Sequence, residues 1–177
     1  VLFRSNKVFI NKCSDSWLDH CETFRTHKVL EKHRNKTNFV SNYYLIERLS
    51  KILPSKFDVV TSDGSANVVT MQVIELKDNQ RLITNTGCAP MGYGLPCAIG
   101  VASTGQETLC IEGDGSLHLN IHELQTMMRN KLPVKLLLLN NDGYLSIKVT
   151  QKSFFNGDYV ASEKSSGASF PDRSEEH

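Results

Sequence analysis

The stretch GDGSLHLNIHELQTMMRNKLPVKLLLLNN, from Gly113 to Asn141, decides the fold. The apolar run TLCIE comes directly before it, and the run VKLLLL lies near its end. Short continuous apolar runs are typical of strands that are buried on both faces. With a helix between them, the two runs predict a right-handed βαβ unit, in which the two strands are parallel.

The segment between the two runs has the features of a helix. Asn120 is placed as its N-cap, with Glu123 three residues later, which is close to the capping-box pattern. Asn130 and Pro133 are the residues that end it. Its apolar positions fall on one face: Ile121, Leu124 and Met128.

Polar residues follow each predicted strand, at the same edge of the sheet. Asp114 follows the first strand and Asn141 the second, so the two side chains are expected to converge. The glycines Gly113, Gly115 and Gly143 make these turns flexible. Carboxylate, amide and carbonyl oxygens suit Mg²⁺, which prefers about six oxygen ligands and often takes several from phosphates and water. A magnesium site with room for a diphosphate is therefore predicted here.

The motif GDG, followed by 24 residues and then NN, resembles the signature of thiamine diphosphate enzymes. The resemblance implies that Asp114, Asn141 and the carbonyl of Gly143 hold Mg²⁺ on the cofactor's diphosphate. It also implies cofactor contacts from the neighbouring residues of the two turns: Gly113, Gly115, Ser116, Tyr144 and Leu145. The alternative is that GDG is an ordinary turn and NN a polar strand end.

The segment TNTGCAPMGYGLPCAIG, Thr84 to Gly100, resembles the acetolactate synthase branch of that family. The resemblance implies that the Ala89 carbonyl accepts from the cofactor's 4′-amino group and that Met91 bends the cofactor into a V. For Met91 alone, an ordinary core position is the alternative. The end of the segment reads as a helix with Pro96 in its first turn and an apolar stripe of Leu95, Ala98, Ile99 and Ala102.

Upstream, NYYLIERLSKILP reads as an amphipathic helix that Pro54 ends, and Phe57 to Thr61 as a strand. The strand opens into a turn of small residues whose amides and side chains suit an anion. In the family this turn contacts the diphosphate, although the usual pattern there is VGQH-like. A plain turn without a ligand is the alternative. The candidate residues are Gly64, Ser65, Ala66 and Asn67.

Downstream, a helix is predicted from Ser146, with its N-terminus toward the diphosphate. The run TQxxFF resembles the segment that shapes the substrate pocket in acetolactate synthase-like enzymes. Exposed loop aromatics are the alternative for Phe154 and Phe155. His118 and His122 lie four residues apart, but zinc is disfavoured because no third ligand is nearby in the sequence.

Composition limits the classes of partner and location. With 20 basic and 19 acidic residues the net charge is +1, which argues against nucleic acid binding. No run of 18 apolar residues occurs, so no membrane contact or export is expected. The five cysteines form no CxxC pair and no even framework, and reduced thiols in the cytoplasm explain them most simply.

The expected fold class is α/β, a doubly wound and mainly parallel sheet with helices on both faces, incomplete at the C-terminus. Residues 1–38 are interpreted as a linker and a helix from a preceding domain. Residues 39–177 are interpreted as a truncated domain that binds thiamine diphosphate and Mg²⁺. The resemblance implies a missing N-terminal domain that carries the catalytic glutamate, none being expected in this chain. It also implies a second subunit, in a homodimer or homotetramer.

The resemblance implies an enzyme that decarboxylates a 2-keto acid, pyruvate being the first choice, and transfers the two-carbon unit to a carbonyl acceptor. Two alternatives remain open. One is a cofactor-binding fragment or degenerate copy without turnover, and the other is a simple 2-keto acid decarboxylase. The chain by itself is expected to be inactive.

Overall fold

The computed structural model describes residues 14–25 and 40–163. These residues divide into two compact units, with the division between Tyr44 and Leu45. The described part of the first unit contains helix α1 (Asp15–Arg25), on which Trp17 and Leu18 are exposed. The predicted domain boundary after residue 38 lies outside the described residues, and the domain division stays a prediction.

The next helix, α2 (Asn42–Ile52), runs across the division between the units. From there on strands and helices alternate. The elements are β1 (Asp58–Thr61), α3 (Gly64–Val73), β2 (Leu82–Ile83), α4 (Gly94–Ala102), β3 (Thr108–Gly113), α5 (Asp114–His118), α6 (Glu123–Arg129), β4 (Val134–Leu139) and α7 (Leu145–Phe154).

The four strands form one parallel sheet in the order β2-β1-β3-β4. One row of side chains runs across it in register, formed by Ile83, Val60, Cys110 and Leu136, and packs with Ala98 of α4. Val59, Leu109 and Ile111 alternate with this row, so they face the other side of the sheet, and they are buried too. Both faces of the central strands are therefore covered, as the doubly wound prediction requires.

Helix α4 follows the predicted apolar stripe closely. Leu95, Ala98 and Ala102 are almost completely buried, and Pro96 lies in the first turn, where its missing N–H costs no helix hydrogen bond. Burial of a side chain such as Leu95 stabilises the fold by about 2 kcal/mol. The apolar stripe determines which side of α4 faces the sheet. It therefore also determines where the loop before α4 lies relative to the sheet.

Two expectations for the deciding stretch were wrong. Strand β4 is half-buried rather than buried on both faces, because it forms an edge of the described sheet. Asn120 is not an N-cap, since the chain first forms α5 and α6 begins only at Glu123, after His122. The Asn120 amide bonds elsewhere, and α6 buries none of its residues, Met128 being 68% exposed.

Candidate functional site

Three turns meet at the carboxyl edge of the sheet, where the strands β1, β3 and β4 end. The first leads from β1 through Asp63 into α3, and the second leads from Gly113 into α5. The third runs from Leu139 through Asn141 to α7. Because parallel strands end at the same edge, these turns border one cleft, as predicted for a doubly wound sheet.

The centre of the cleft is built by the second and third turns. Asp114 is only 1% exposed, and its Oδ2 accepts the backbone N–H of Gly143 at 2.8 Å. The side-chain amide of Asn141 lies 3.2 Å from Asp114 Oδ1 and 2.7 Å from the Gly143 carbonyl oxygen. The predicted convergence of Asp114 and Asn141 is therefore present, and the Gly143 carbonyl joins them.

The Asn141 amide can take two orientations at this point. With its nitrogen inward, it donates to Asp114 Oδ1 and to the Gly143 carbonyl. With its oxygen inward, three oxygens face one another at separations of 2.7 and 3.2 Å. Neighbouring oxygens of an octahedral Mg²⁺ site, with bonds of 2.0–2.1 Å at right angles, lie about 2.9 Å apart. The donor set and its spacing thus fit Mg²⁺.

The second and third turns also pack directly on each other. A Cβ on Gly115 would lie 2.5 Å from Cδ1 and 2.6 Å from Cε1 of the Tyr144 ring, so the ring lies against the glycine backbone. Any side chain at position 115 would push Tyr144 and the start of α7 outward. Glycine is needed here for the close approach of the two turns.

Two helices of ten residues begin at the cleft. Helix α3 follows Asp63 and α7 follows Tyr144, and neither of these N-cap residues makes a capping side-chain hydrogen bond. The first amides of each helix are therefore free of a side-chain cap, and the helix dipole places positive potential there. Together with a cation at Asp114, such amides favour a phosphate-bearing ligand.

The cleft is open to solvent and is lined by sixteen residues. It contains twelve of the fourteen candidate residues. These are Gly64, Ser65, Ala66, Met91, Gly113, Asp114, Gly115, Ser116, Asn141, Gly143, Tyr144 and Leu145. Sequence reasoning did not include four further lining residues, namely Asp63, Leu139, Ser146 and Ile147.

The two other candidates, Asn67 and Ala89, do not line the cleft. Asn67 is buried, and its Oδ1 accepts from Thr61 Oγ1 at 3.1 Å and Thr84 Oγ1 at 2.6 Å. It lies in the first turn of α3 rather than in a free turn, so it holds that turn to the strands. Ala89 is exposed, and its N–H donates to the Asn85 carbonyl at 2.9 Å.

A buried polar network behind the cleft was missed from the sequence. Glu112 is fully buried, and its Oε1 accepts from Ser116 Oγ at 3.0 Å. The backbone N–H groups of Gly94 and Leu95 also donate to its carboxylate. The signal was a charged residue in an apolar strand, since carboxylates are almost never fully buried without partners.

The electrostatics of Glu112 follow from this position. Burial raises the pKa of the Glu112 carboxyl above its ordinary value, and the hydrogen bonds that Glu112 accepts oppose this shift without cancelling it. These bonds come from two serines and two backbone amides, namely Ser116, Ser62, Leu95 and Gly94.

Three other observations concern the part of the chain that the structure describes. No group of three or more His, Cys, Asp and Glu side chains gathers there, so the pair His118 and His122 has no third ligand of that kind. The cysteines Cys21, Cys88, Cys97 and Cys110 are free thiols. No helix in residues 14–25 and 40–163 is long and apolar enough to cross a membrane.

Known proteins resemble this chain in sequence and in fold. It is 33% identical over 146 residues to the acetolactate synthase isozyme 2 large subunit of Escherichia coli (strain K12), covering 81% of this chain and 26% of that protein. It is 36% identical over 118 residues to the isozyme 1 large subunit of the same organism, covering 66% and 21%. The chain thus spans about a quarter of the length of these relatives.

A solved structure supports the fold. The benzoylformate decarboxylase from Polynucleobacter necessarius matches with a TM-score of 0.63 at 17% identity, over 74% of this chain and 26% of that one. The family described as "Thiamine pyrophosphate enzyme, C-terminal TPP binding domain" matches residues 63–173, which is more than half of the chain. This chain therefore belongs to the thiamine pyrophosphate enzyme family, as a C-terminal TPP-binding domain.

Proposed function

We propose that this chain binds thiamine diphosphate through Mg²⁺ and forms the cofactor-binding part of an acetolactate synthase-like enzyme. That enzyme decarboxylates a 2-keto acid, pyruvate being the first choice, and transfers the two-carbon unit to a carbonyl acceptor. The relatives named acetolactate synthase support this assignment. The observation that carries it is the convergence of Asp114 Oδ1, the Asn141 side-chain amide and the Gly143 carbonyl, whose separations suit Mg²⁺ when the amide oxygen faces inward.

In this proposal the metal and the diphosphate are held by different groups. Asp114 Oδ1, Asn141 Oδ1 and the Gly143 carbonyl are the metal ligands. The amides that begin α3 and α7 bind diphosphate oxygens, next to Gly64, Ser65 and Ala66. Asn67 orients the first turn of α3 from behind, because its Oδ1 is already bonded to two threonines.

Thiamine diphosphate, when bound, supplies a stabilised carbanion centre, the chemistry that cleaves the bond to the carboxylate of a 2-keto acid. This chain contributes binding and orientation. Met91 lies at the rim of the cleft and is 42% exposed, where it supports the middle of the cofactor. Because Met91 and Ala89 are exposed, a second polypeptide surface is needed to exclude water beyond them. An N-terminal domain of a second subunit, in a homodimer or homotetramer, is the partner we propose.

The binding part of the proposal is tested by calorimetry on this chain. Thiamine diphosphate should bind with Mg²⁺ present and fail to bind with chelator. Asp114→Asn should weaken binding at least about 100-fold, because it removes a charged metal ligand. Asp142→Asn is the matched control, since Asp142 is an exposed carboxylate next to Asn141, and it should bind like the wild type. Equal affinity with chelator would contradict the proposal.

The catalytic part is tested by carbon dioxide release from pyruvate. The chain alone should release none above background, because the general-base assistance worth roughly 10²–10⁴ in rate would come from the partner. Addition of the N-terminal domain should restore release if the protein is an enzyme of this type. Cofactor binding without release in any combination would favour the binding module without turnover. Release without transfer to an acceptor would favour a simple decarboxylase.

A further inference from the structure

Gly92, the residue after Met91, is held through both its backbone N–H and its carbonyl by residues that follow β3. The N–H of Gly92 donates to Ser116 Oγ at 2.7 Å. The carbonyl of Gly92 accepts from Asn120 Nδ2, also at 2.7 Å. Gly92 is buried, so both its polar groups depend on these two side chains. The position of Met91 is therefore coupled to Ser116 and Asn120.

Glycine at position 92 is required by this arrangement. Its φ is +83°, and a Cβ there would lie 2.7 Å from Asn120 Nδ2 and 3.1 Å from the Leu119 side chain. Asn120 therefore packs against the bare backbone of Gly92 as well as bonding to it. A residue with a Cβ could therefore replace Gly92 only if Asn120 moved.

Glu112 holds the next part of the same loop. It accepts from the N–H groups of Gly94 and Leu95, which begin α4, and from Ser116 Oγ. A Cβ on Gly94 would lie 3.0 Å from both Glu112 Cδ and Ser62 Cβ, so glycine leaves room for this close approach. A carboxylate that accepts from the first amides of a helix is favoured by the helix dipole.

We propose that Glu112, Ser116 and Asn120 form a clamp on Gly92–Leu95 that sets the position of Met91 relative to the metal end of the cleft. The three residues are spaced four apart and surround Asp114 in sequence. One short segment thus holds the diphosphate end with Asp114 and the middle of the site through Gly92. Glu112 and Asn120 are positioning residues in this account, which rests on the proposed function for its ligand.

The clamp is tested first without any ligand, by NMR of this chain with ¹³C-methyl methionine. The four methionines, Met71, Met91, Met127 and Met128, give four methyl signals. Asn120→Asp removes the donor to Gly92 at constant shape, and it should shift or broaden the Met91 signal. Amide exchange at Gly92 and Gly94 should become faster by about tenfold, as the loss of one buried hydrogen bond predicts.

Asn130→Asp is the matched control. Asn130 also donates its amide to a backbone carbonyl, that of Thr126 at 2.8 Å, but at the C-terminal end of α6. This variant should shift Met127 and Met128 and leave Met91 unchanged. A Met91 signal that is the same in the wild type and in Asn120→Asp would overturn the clamp. Glu112→Gln is a second test variant, in which the side-chain amide group would face the backbone N–H donors of Gly94 and Leu95. The Met91 signal should shift or broaden in this variant as it does in Asn120→Asp.

A second measurement separates positioning from binding. In the complete enzyme, Asn120→Asp should lower kcat by about tenfold or more, because a small misplacement of a positioned group is costly. The Kd for thiamine diphosphate with Mg²⁺ should change by no more than about threefold, since the metal ligands are intact. Equal losses in kcat and affinity would show that Asn120 acts on stability alone. Absence of cofactor binding in the wild type, with Met91 still moved, would overturn the proposed function and leave the clamp.

Discussion

Buried carboxylates have different kinds of partner at the two edges of the parallel sheet. At the amino edge, Asp58 is 1% exposed and forms an ion pair with Arg81, whose Nε donates at 2.8 Å. At the carboxyl edge, Glu112 and Asp114 are equally buried. Neither forms an ion pair with a residue in the described part of the chain. Serine hydroxyls and backbone N–H groups donate to Glu112 instead, and the backbone N–H of Gly143 donates to Asp114.

This difference distinguishes a buried carboxylate that stabilises the fold from buried carboxylates suited to a functional role. A buried carboxylate with its own arginine is complete within the protein. Buried carboxylates that no basic side chain pairs with are characteristic of function rather than stability. The carboxyl edge is therefore suited to a cation from solution, and the amino edge is not.

The largest expected effect on stability lies at the amino edge. Arg81→Met leaves Asp58 buried without its cation. We expect the free energy of unfolding to fall by about 2 kcal/mol. This loss is smaller than that for a fully buried ion pair, because the Arg81 guanidinium is exposed. Arg129→Met, which removes an exposed arginine at the end of α6, is the control for urea unfolding. Equal losses in the two variants would remove the contrast between the edges.

A smaller effect is expected at the carboxyl edge, where the turns are held by close backbone approach. Gly115→Ala places a Cβ against the Tyr144 ring and should cost about 1 kcal/mol in chemical unfolding without ligand, the lower end for an added methyl group, because the Tyr144 ring is partly exposed and can move. Gly113→Ala is the control, because no atom lies within 4 Å of its added Cβ. Tyr144→Leu should recover part of the loss. A harmless Gly115→Ala would mean that the two turns are not in close contact.

The smallest effect sharpens the comparison at the amino edge. Lys56 and Lys135 both lie over the Phe57 ring, at 5.8 and 5.7 Å, but only Lys56 pairs with Glu107, at 2.7 Å. Lys56→Met should therefore cost at most about 0.5 kcal/mol more than Lys135→Met, because exposed ion pairs contribute little. The difference should vanish in 1 M NaCl (~3 Å screening length). A larger, salt-resistant difference would show that this pair is structural.

The sequence was sufficient for the parts of the fold that depend on local pattern. The runs before Gly113 and Asn140 are β3 and β4, and the stripe around Leu95 is α4. The spacing of apolar residues in such segments indicates which residues are buried and whether the segment is a helix or a strand. The short strand β2, only two residues long, carries too little pattern to be recognised.

The remaining features depend on partners distant in sequence. Asn120 bonds to Gly92, 28 residues away, and Asn67 bonds to Thr84, 17 residues away. The local sequence favours an N-cap role for Asn120 and a turn-donor role for Asn67. In the structure both side chains instead form hydrogen bonds with residues distant in sequence. Strand β4 was expected to be fully buried because an apolar run does not reveal whether the strand lies at an edge.

The central claim is that the carboxylate of Asp114 belongs to a bound cation rather than to the fold. The direct test is urea unfolding of the wild type and of Asp114→Asn, each with and without Mg²⁺ and thiamine diphosphate. Without ligand, we expect the variant to be as stable as the wild type within about 0.5 kcal/mol, or more stable, because the Gly143 N–H keeps its acceptor and a buried charge is removed. With ligand at 100 times the wild-type Kd, the wild type should gain about 2.7 kcal/mol, and the variant, which binds at least about 100-fold more weakly, should gain no more than about 0.4 kcal/mol. A ligand-free variant as unstable as Arg81→Met, or one that gains as much from the ligand as the wild type, would contradict the account.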